Sequence, residues 1–115
     1  MPSRRRERVS GLLLQTLAEI LLREVKDPRV AGVTLTDATI SPDLKIAKVF
    51  FTTFREEDRS ATLAGLQSAA GYMKRQLASR MRLRHTPELY FLYDTTLEQA
   101  HRLEHLLRQA NEKEQ

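Results

Sequence analysis

The chain has no cysteine and no tryptophan, and no Asp or Glu stands anywhere between Ser60 and Pro87. Without cysteine there is no disulfide framework, no thiolate nucleophile and no Cys-based zinc site, so a reducing compartment is expected. A continuous apolar run is missing as well. Gln15 and Glu19 interrupt Leu12 to Leu22, well short of the roughly 20 apolar residues a membrane span needs. Ser3-Arg4-Arg5-Arg6 ahead of that stretch gives it the look of an export signal, but no small-residue cleavage site follows. The expected location is therefore the cytoplasm. There is also no glycine-rich phosphate loop, no nucleophile elbow and no Ser, His, Asp set at workable spacing. We expect no enzyme, no cofactor and no small-molecule substrate.

What is present suits one soluble domain. A chain of 115 residues is long enough to bury one core but not two. Its hydrophobic fraction of 41% argues against wholesale disorder. A single domain over residues 1–110 is expected, with 111–115 as a disordered tail.

From Arg4 to Val25, Val9, Leu13, Leu17, Ile20 and Leu21 recur at spacings of three and four and predict an amphipathic helix, closed by Lys26-Asp27-Pro28. Val33 to Thr36 and Ile46 to Thr53 predict two antiparallel strands around the turn Ser41-Pro42-Asp43. In the second strand Ala47, Val49 and Phe51 share one face, and Lys48 and Phe50 the other. Leu63, Leu66, Ala70, Met73, Leu77 and Met81 predict a second helical stretch, in which Gly71 marks a bend or a close approach and two shorter helices meet. Leu89 to Tyr93 predicts a short buried strand. Thr95 and Glu98 predict a capping box for a last helix whose Leu97, Ala100, Leu103, Leu106 and Leu107 face the body.

The acid-free stretch holds Lys74, Arg75, Arg80, Arg82 and Arg84, a local charge of five that exceeds the net +4 of the whole chain. Solvated helix faces usually mix signs, because Glu and Lys one turn apart relieve repulsion. Charge sorted in this way points to a polyanion, with a pI near 9.8 favouring nucleic acid. Arg75 and Arg82, seven apart, project opposite the Leu66, Met73, Leu77 face. Arg4, Arg5, Arg6 and Arg8 offer a second contact, or a basic arm with no role. Lys45 and Lys48 are weaker candidates, since lysines on an edge strand commonly guard it against aggregation. His101 and His105 have a metal-pair spacing but no third ligand, and Glu56-Glu57-Asp58 makes a poor Mg²⁺ cage. No metal is expected.

The element order resembles that of a type II KH domain, a small RNA-binding fold. Where such a domain carries a Gly-x-x-Gly loop, this chain has Ser68-Ala69-Ala70-Gly71. That junction resembles the ribosome-binding factor A family. So do Lys26-Asp27-Pro28-Arg29-Val30, Val33 to Asp37, Ser41 to Leu44, Ala47-Lys48-Val49, Arg82-Leu83-Arg84, Pro87-Glu88-Leu89 and Phe91 to Asp94. The resemblance implies an α+β fold, KH type II-like, of order α-β-β-α-(kink)-α-β, with a three-stranded sheet and an additional C-terminal helix. It implies a noncatalytic, monomeric factor that binds the small (30S) ribosomal subunit and supports late maturation and processing of 16S rRNA. In its terms Ala69, Ala70 and Gly71 form a helix kink replacing the KH loop, and Lys74, Arg75, Arg80, Arg82 and Arg84 match the family's basic helix and the segment after it. With no Gly-x-x-Gly, contacts to shape and phosphate are expected over base reading. The alternatives are an RNA-binding module not tied to ribosomes, a protein-interaction domain using the Phe50 side of the sheet, and a metal-dependent nuclease.

Overall fold

The structure, a computed structural model, describes residues 4–114. The periodic apolar positions near the start form α1 (Arg4–Glu24), which buries Leu13, Leu17, Ile20 and Leu21. Asp27 then caps a short 3-10 turn, Pro28–Val30, accepting a hydrogen bond from the Arg29 amide at 2.9 Å. β1 (Thr34–Ile40) and β2 (Ile46–Thr52) are joined by a turn in which Ser41 Oγ donates to Asp43 at 2.6 Å and accepts from the Ile46 amide at 3.0 Å. A second 3-10 turn, Glu56–Asp58, leads into α2 (Arg59–Met81), followed by β3 (Glu88–Tyr93) and α3 (Thr96–Glu114).

The sheet order is β1-β2-β3. β2 runs antiparallel to β1 and parallel to β3, and α2 supplies the crossover that a parallel pair requires. Along β2 the alternation holds: Ala47, Val49 and Phe51 are fully buried against α1 and α2, together with Ala38, Ile40 and Phe91 from the flanking strands. The opposite face presents Thr39, Ile46, Lys48, Tyr90 and Leu92 to solvent, with Phe50 half-buried among them. Among the described residues the result is an α+β fold of three helices and a three-stranded mixed sheet; the α+β class and the three strands are as expected, and the helices are one fewer.

Several local expectations are corrected. α2 runs without interruption through Ala69, Ala70 and Gly71, so two shorter helices do not meet there. β3 lies at a sheet edge and is not buried: its outward residues Glu88, Tyr90 and Leu92 are exposed. β2, in turn, is the central strand, so Lys48 is not an edge-strand lysine. The leucines of α3 do not face the body. Every residue from Thr96 to Lys113 is exposed, including Leu97 at 67% and Leu107 at 55%. The predicted capping box is also replaced. Asp94 accepts from the Thr96 amide at 2.9 Å, and Glu98 pairs with Arg59 at 2.8 Å. Helix α3 includes Asn111 to Glu114, where the sequence suggested a tail; Gln115, like Met1, Pro2 and Ser3, lies outside the described residues.

The close approach suspected at Gly71 occurs one and a half turns earlier, at Gly65. A Cβ there would lie 2.8 Å from Val30 Cγ1 and 3.1 Å from Arg29 Cβ, whereas at Gly71 it would meet only the Arg75 guanidinium at 3.5 Å. Gly65 therefore admits the 3-10 turn against α2, and Thr62 Oγ1 fastens it by donating to the Arg29 carbonyl at 2.9 Å. The two glycines should respond oppositely to alanine. Gly65→Ala should lower unfolding free energy by about 1 kcal/mol, because overpacking costs about 1–3 kcal/mol and helix propensity returns about 1 kcal/mol. Gly71→Ala should raise it by roughly 0.5–1 kcal/mol. Urea denaturation of the two variants checks both signs.

Candidate nucleic-acid interface

Helix α2 turns Thr62, Leu66, Met73 and Leu77 into the core, which leaves Gln67, Ser68, Gly71, Arg75 and Ser79 outward. It ends at Arg82, which adopts the left-handed conformation (φ 50°, ψ 40°) that stops a helix. A non-glycine residue holds that conformation with some strain. The segment Leu83 to Pro87 then leads into β3, so Arg84 lies beyond the helix.

The five cations of this region are not equivalent. Lys74 forms an ion pair with Glu88 at the start of β3, and Arg80 with Glu24 at the end of α1. The second oxygen of Glu24 accepts from the Tyr72 hydroxyl at 2.7 Å. Thus the carboxylates missing from the segment itself are supplied by other elements. Among the described residues no carboxylate stands within ion-pair range of Arg75, Arg82 or Arg84, and all three are exposed. The Arg75 guanidinium lies along the helix over Gly71.

The other candidates fall into two groups. Lys45 stands beside the start of β3, its carbonyl accepting from the Glu88 amide at 2.8 Å. Lys48 sits on the outer face of β2, between Thr39 of β1 and Tyr90 of β3. Glu88 thus meets the Lys45 carbonyl through its amide and the Lys74 ammonium through its carboxylate. Arg4 and Arg5 are exposed on the first turn of α1, and Arg6 lines a shallow cavity with Asp37, Ala38, Thr39 and Ile40. No hydrogen bond or ion pair among the described residues joins that cluster to the end of α2.

Sequence reasoning missed Glu24 and Glu88 as neutralising partners. Glu24 is 56 residues from Arg80, and nothing local in the sequence signals the pairing. The acidic loop is similarly engaged: Arg55 reaches Glu57 at 3.1 Å and Asp58 at 3.3 Å, and Arg59 reaches Glu56 at 3.6 Å. His101 and His105 are exposed on α3, and among the described residues no three His, Asp or Glu side chains gather as a ligand set.

Hydrogen bonds from Tyr72 and then Arg80 hold the Glu24 carboxyl below its ordinary value, and the same contact raises Tyr72. A carboxylate depressed in the folded state binds fewer protons folded than unfolded across that interval, so stability rises with pH there. The contribution is fully present above the ordinary glutamate value and is lost as pH falls through the depressed one. Glu24→Gln should therefore flatten the acid limb of a stability-versus-pH profile measured by urea denaturation, and Tyr72→Phe should flatten it in part.

Comparison with known proteins identifies relatives of the chain as a whole. The family model described as ribosome-binding factor A matches residues 5–107. The chain is 39% identical over 116 residues to the ribosome-binding factor A of Halothermothrix orenii, covering 100% of this chain and 95% of that one. The crystal structure of ribosome-binding factor A from Thermus thermophilus superimposes with a TM-score of 0.69 at 32% identity, covering 76% of this chain and 94% of that one. A homology model of the Thermus thermophilus factor, fitted into a cryo-EM map of its complex with 30S, gives a TM-score of 0.61 at 32% identity over 74% and 90% of the two chains.

Proposed function

The chain belongs to the ribosome-binding factor A family, and from that premise we propose that it binds the small (30S) ribosomal subunit through 16S rRNA and supports late maturation and processing of that RNA. The observation that supports this most directly is the exposed set Arg75, Arg82 and Arg84, cations that no described carboxylate neutralises, at the end of the helix that crosses from β2 to β3. The fitted Thermus thermophilus factor was placed in a complex with 30S, which favours the same partner here.

The mechanism is noncatalytic. Docking on folded RNA stabilises the conformation of the immature subunit that the factor binds better, and only that difference in affinity can shift the equilibrium. The contacts are to phosphate and shape. Ala69, Ala70 and Gly71 sit mid-helix, where backbone amides are already bonded within the helix and are not offered to phosphates as a Gly-x-x-Gly loop would offer them. At Gly71 the surface is the Arg75 guanidinium lying over the helix, so what faces RNA there is a cation. Lys74 and Arg80 join by exchanging Glu88 and Glu24 for phosphate. Arg4, Arg5, Arg6, Lys45 and Lys48 extend the footprint. The protein acts in the cytoplasm, as a monomer, with no cofactor or metal.

A protein contact is the second reading, favoured by the exposed leucines of α3. The two differ in salt dependence. With Arg75, Arg82 and Arg84 on phosphates, affinity for small subunits should fall with salt with a log–log slope of at least about −2, steeper as the flanking cations join, since each phosphate contact contributes roughly 0.7–0.9. Arg75→Glu with Arg82→Glu should abolish co-sedimentation with small subunits at moderate salt. Arg82→Gly provides the folding control: glycine suits φ 50°, so stability should hold or rise while affinity falls. Unchanged co-sedimentation of the double variant, or a slope near zero, would overturn the proposal.

A further inference from the structure

The outer face of the sheet takes no part in the core, and its composition is unusual for a surface left to water. Two outward-pointing rows cross it. One reads Thr39, Lys48, Tyr90, and the next reads Asp37, Phe50, Leu92; Ile46 and Glu88 stand opposite one another at the end nearer the β1–β2 turn. Tyr90 is 54% exposed, and Ile46 and Leu92 are each 41% exposed. Tyr72, the aromatic residue of α2, is half-buried with its hydroxyl held by Glu24. Tyr90 therefore has the more accessible ring, and it lies directly across from Lys48.

Charge separates the possible occupants. Two acids lie on the strands of this surface, Glu88 and Asp37, and Asp43 of the β1–β2 turn stands beside Lys45, its carboxylate accepting from the Lys45 amide at 3.1 Å. Glu88 is neutralised by Lys74, and Asp37 sits on the far strand with one carboxylate oxygen held by the Ala38 amide at 2.9 Å. Lys48 and Lys45 have no carboxylate in ion-pair range among the described residues. The half of the face nearest β3 is thus an exposed aromatic ring flanked by aliphatic side chains and unpaired lysines. It also adjoins the end of α2 through Lys74, Glu88 and Lys45. Proteins that bind single strands without a base code combine these parts: a ring on which a base stacks, and cations along the backbone path.

We propose that this face is a stacking platform for single-stranded RNA, with a base on Tyr90 and the adjoining phosphates on Lys48 and Lys45. It rests on the RNA-binding reading above and adds a second surface to it, for an unpaired segment next to the structured RNA that the end of α2 engages. The surface supplies what the uninterrupted α2 lacks, a place for an unstacked base.

The test uses the full chain and a labelled oligoadenylate, with an RNA duplex of equal length as the comparison, read by fluorescence anisotropy. Single strands should bind more tightly than duplex. Tyr90→Ala should weaken single-strand binding roughly tenfold, within the range seen for loss of one stacked base. Tyr90→Phe should retain it, since the ring and not the hydroxyl stacks. Because Tyr90 is exposed, both variants should keep the wild-type melting curve. Equal affinity in Tyr90→Ala, or an equal loss in Tyr90→Phe, would overturn the platform while leaving co-sedimentation of the Arg75 and Arg82 variants to judge the helical surface separately. A photo-crosslinker placed at position 90 on small subunits should yield RNA adducts. Adducts to ribosomal protein alone would assign the face to a protein partner and overturn the proposal.

Discussion

The position of α2 depends on one packing constraint, the contact between Gly65 and the 3-10 turn at Pro28–Val30. With any side chain at position 65, Val30 and Arg29 would have to withdraw, because a single carbon there already lies inside van der Waals distance of both. The turn is stiff: Asp27 caps it, grips the Arg29 guanidinium at 2.7 Å, and Pro28 restricts its backbone. A rigid turn against a bare helix surface leaves little freedom for sliding. Thr62 then fixes the axial position by its bond to the Arg29 carbonyl. From that seat α2 lies over β2 and β3, Met73 and Leu77 reach the core, and Lys74 comes within reach of Glu88. The basic end of the helix is aimed by a contact made about three to five turns upstream.

The same placement sorts the cations. Lys74 and Arg80 meet carboxylates from β3 and α1, whereas Arg75, Arg82 and Arg84 do not. The two pairs are partly exposed, and exposed pairs are worth about 0–1 kcal/mol each. They restrain the side chains without withholding them: a phosphate can displace Glu24 or Glu88 at small cost. In the RNA-binding role proposed above, the unpaired arginines would attract RNA at long range, and the paired cations would add contacts only once RNA is close. In the free protein, the pairs also reduce the repulsion that five like charges within eleven residues would impose on one helix end.

The two strands of the hairpin and the core face of β2 were legible in the sequence because each is written in local periodicity, the basic segment because its charges are all of one sign, and the fold class through the family resemblance. Ala47, Val49 and Phe51 could be assigned to one face from alternation alone. What was not legible came from partners far along the chain. Gly65 and Gly71 look alike in sequence, and which of them faces another element depends on where the Asp27-Pro28-Arg29-Val30 turn is folded. Glu24 and Glu88 likewise become partners of the basic segment only in three dimensions. For α3 the periodicity was read correctly as an amphipathic helix, but periodicity reports a face and not what covers it. The apolar stripe of Leu97, Leu103 and Leu107 remains in solvent because α3 leaves the sheet at Asp94 with its first turn tied to Arg59, whose guanidinium stacks on Tyr93 with 3.6 Å to the ring centroid.

The geometry also bears on how firmly such a factor can hold RNA. A KH loop gains affinity by presenting free backbone amides to the nucleic-acid backbone, donors whose positions the fold already fixes. Here those amides are bonded inside α2, so in the proposed role contacts would come from flexible side chains that lose conformational freedom when they are fixed, up to about 2 kcal/mol for an arginine or lysine. Arg82 is the exception in part, since its left-handed backbone starts the side chain from a defined direction at the helix end. Few donors, each immobilised on binding and each screened by salt, favour an attachment that is specific in orientation yet readily undone. In the RNA-binding role proposed above, replacing a backbone clamp with side chains would be a physical route to release without catalysis.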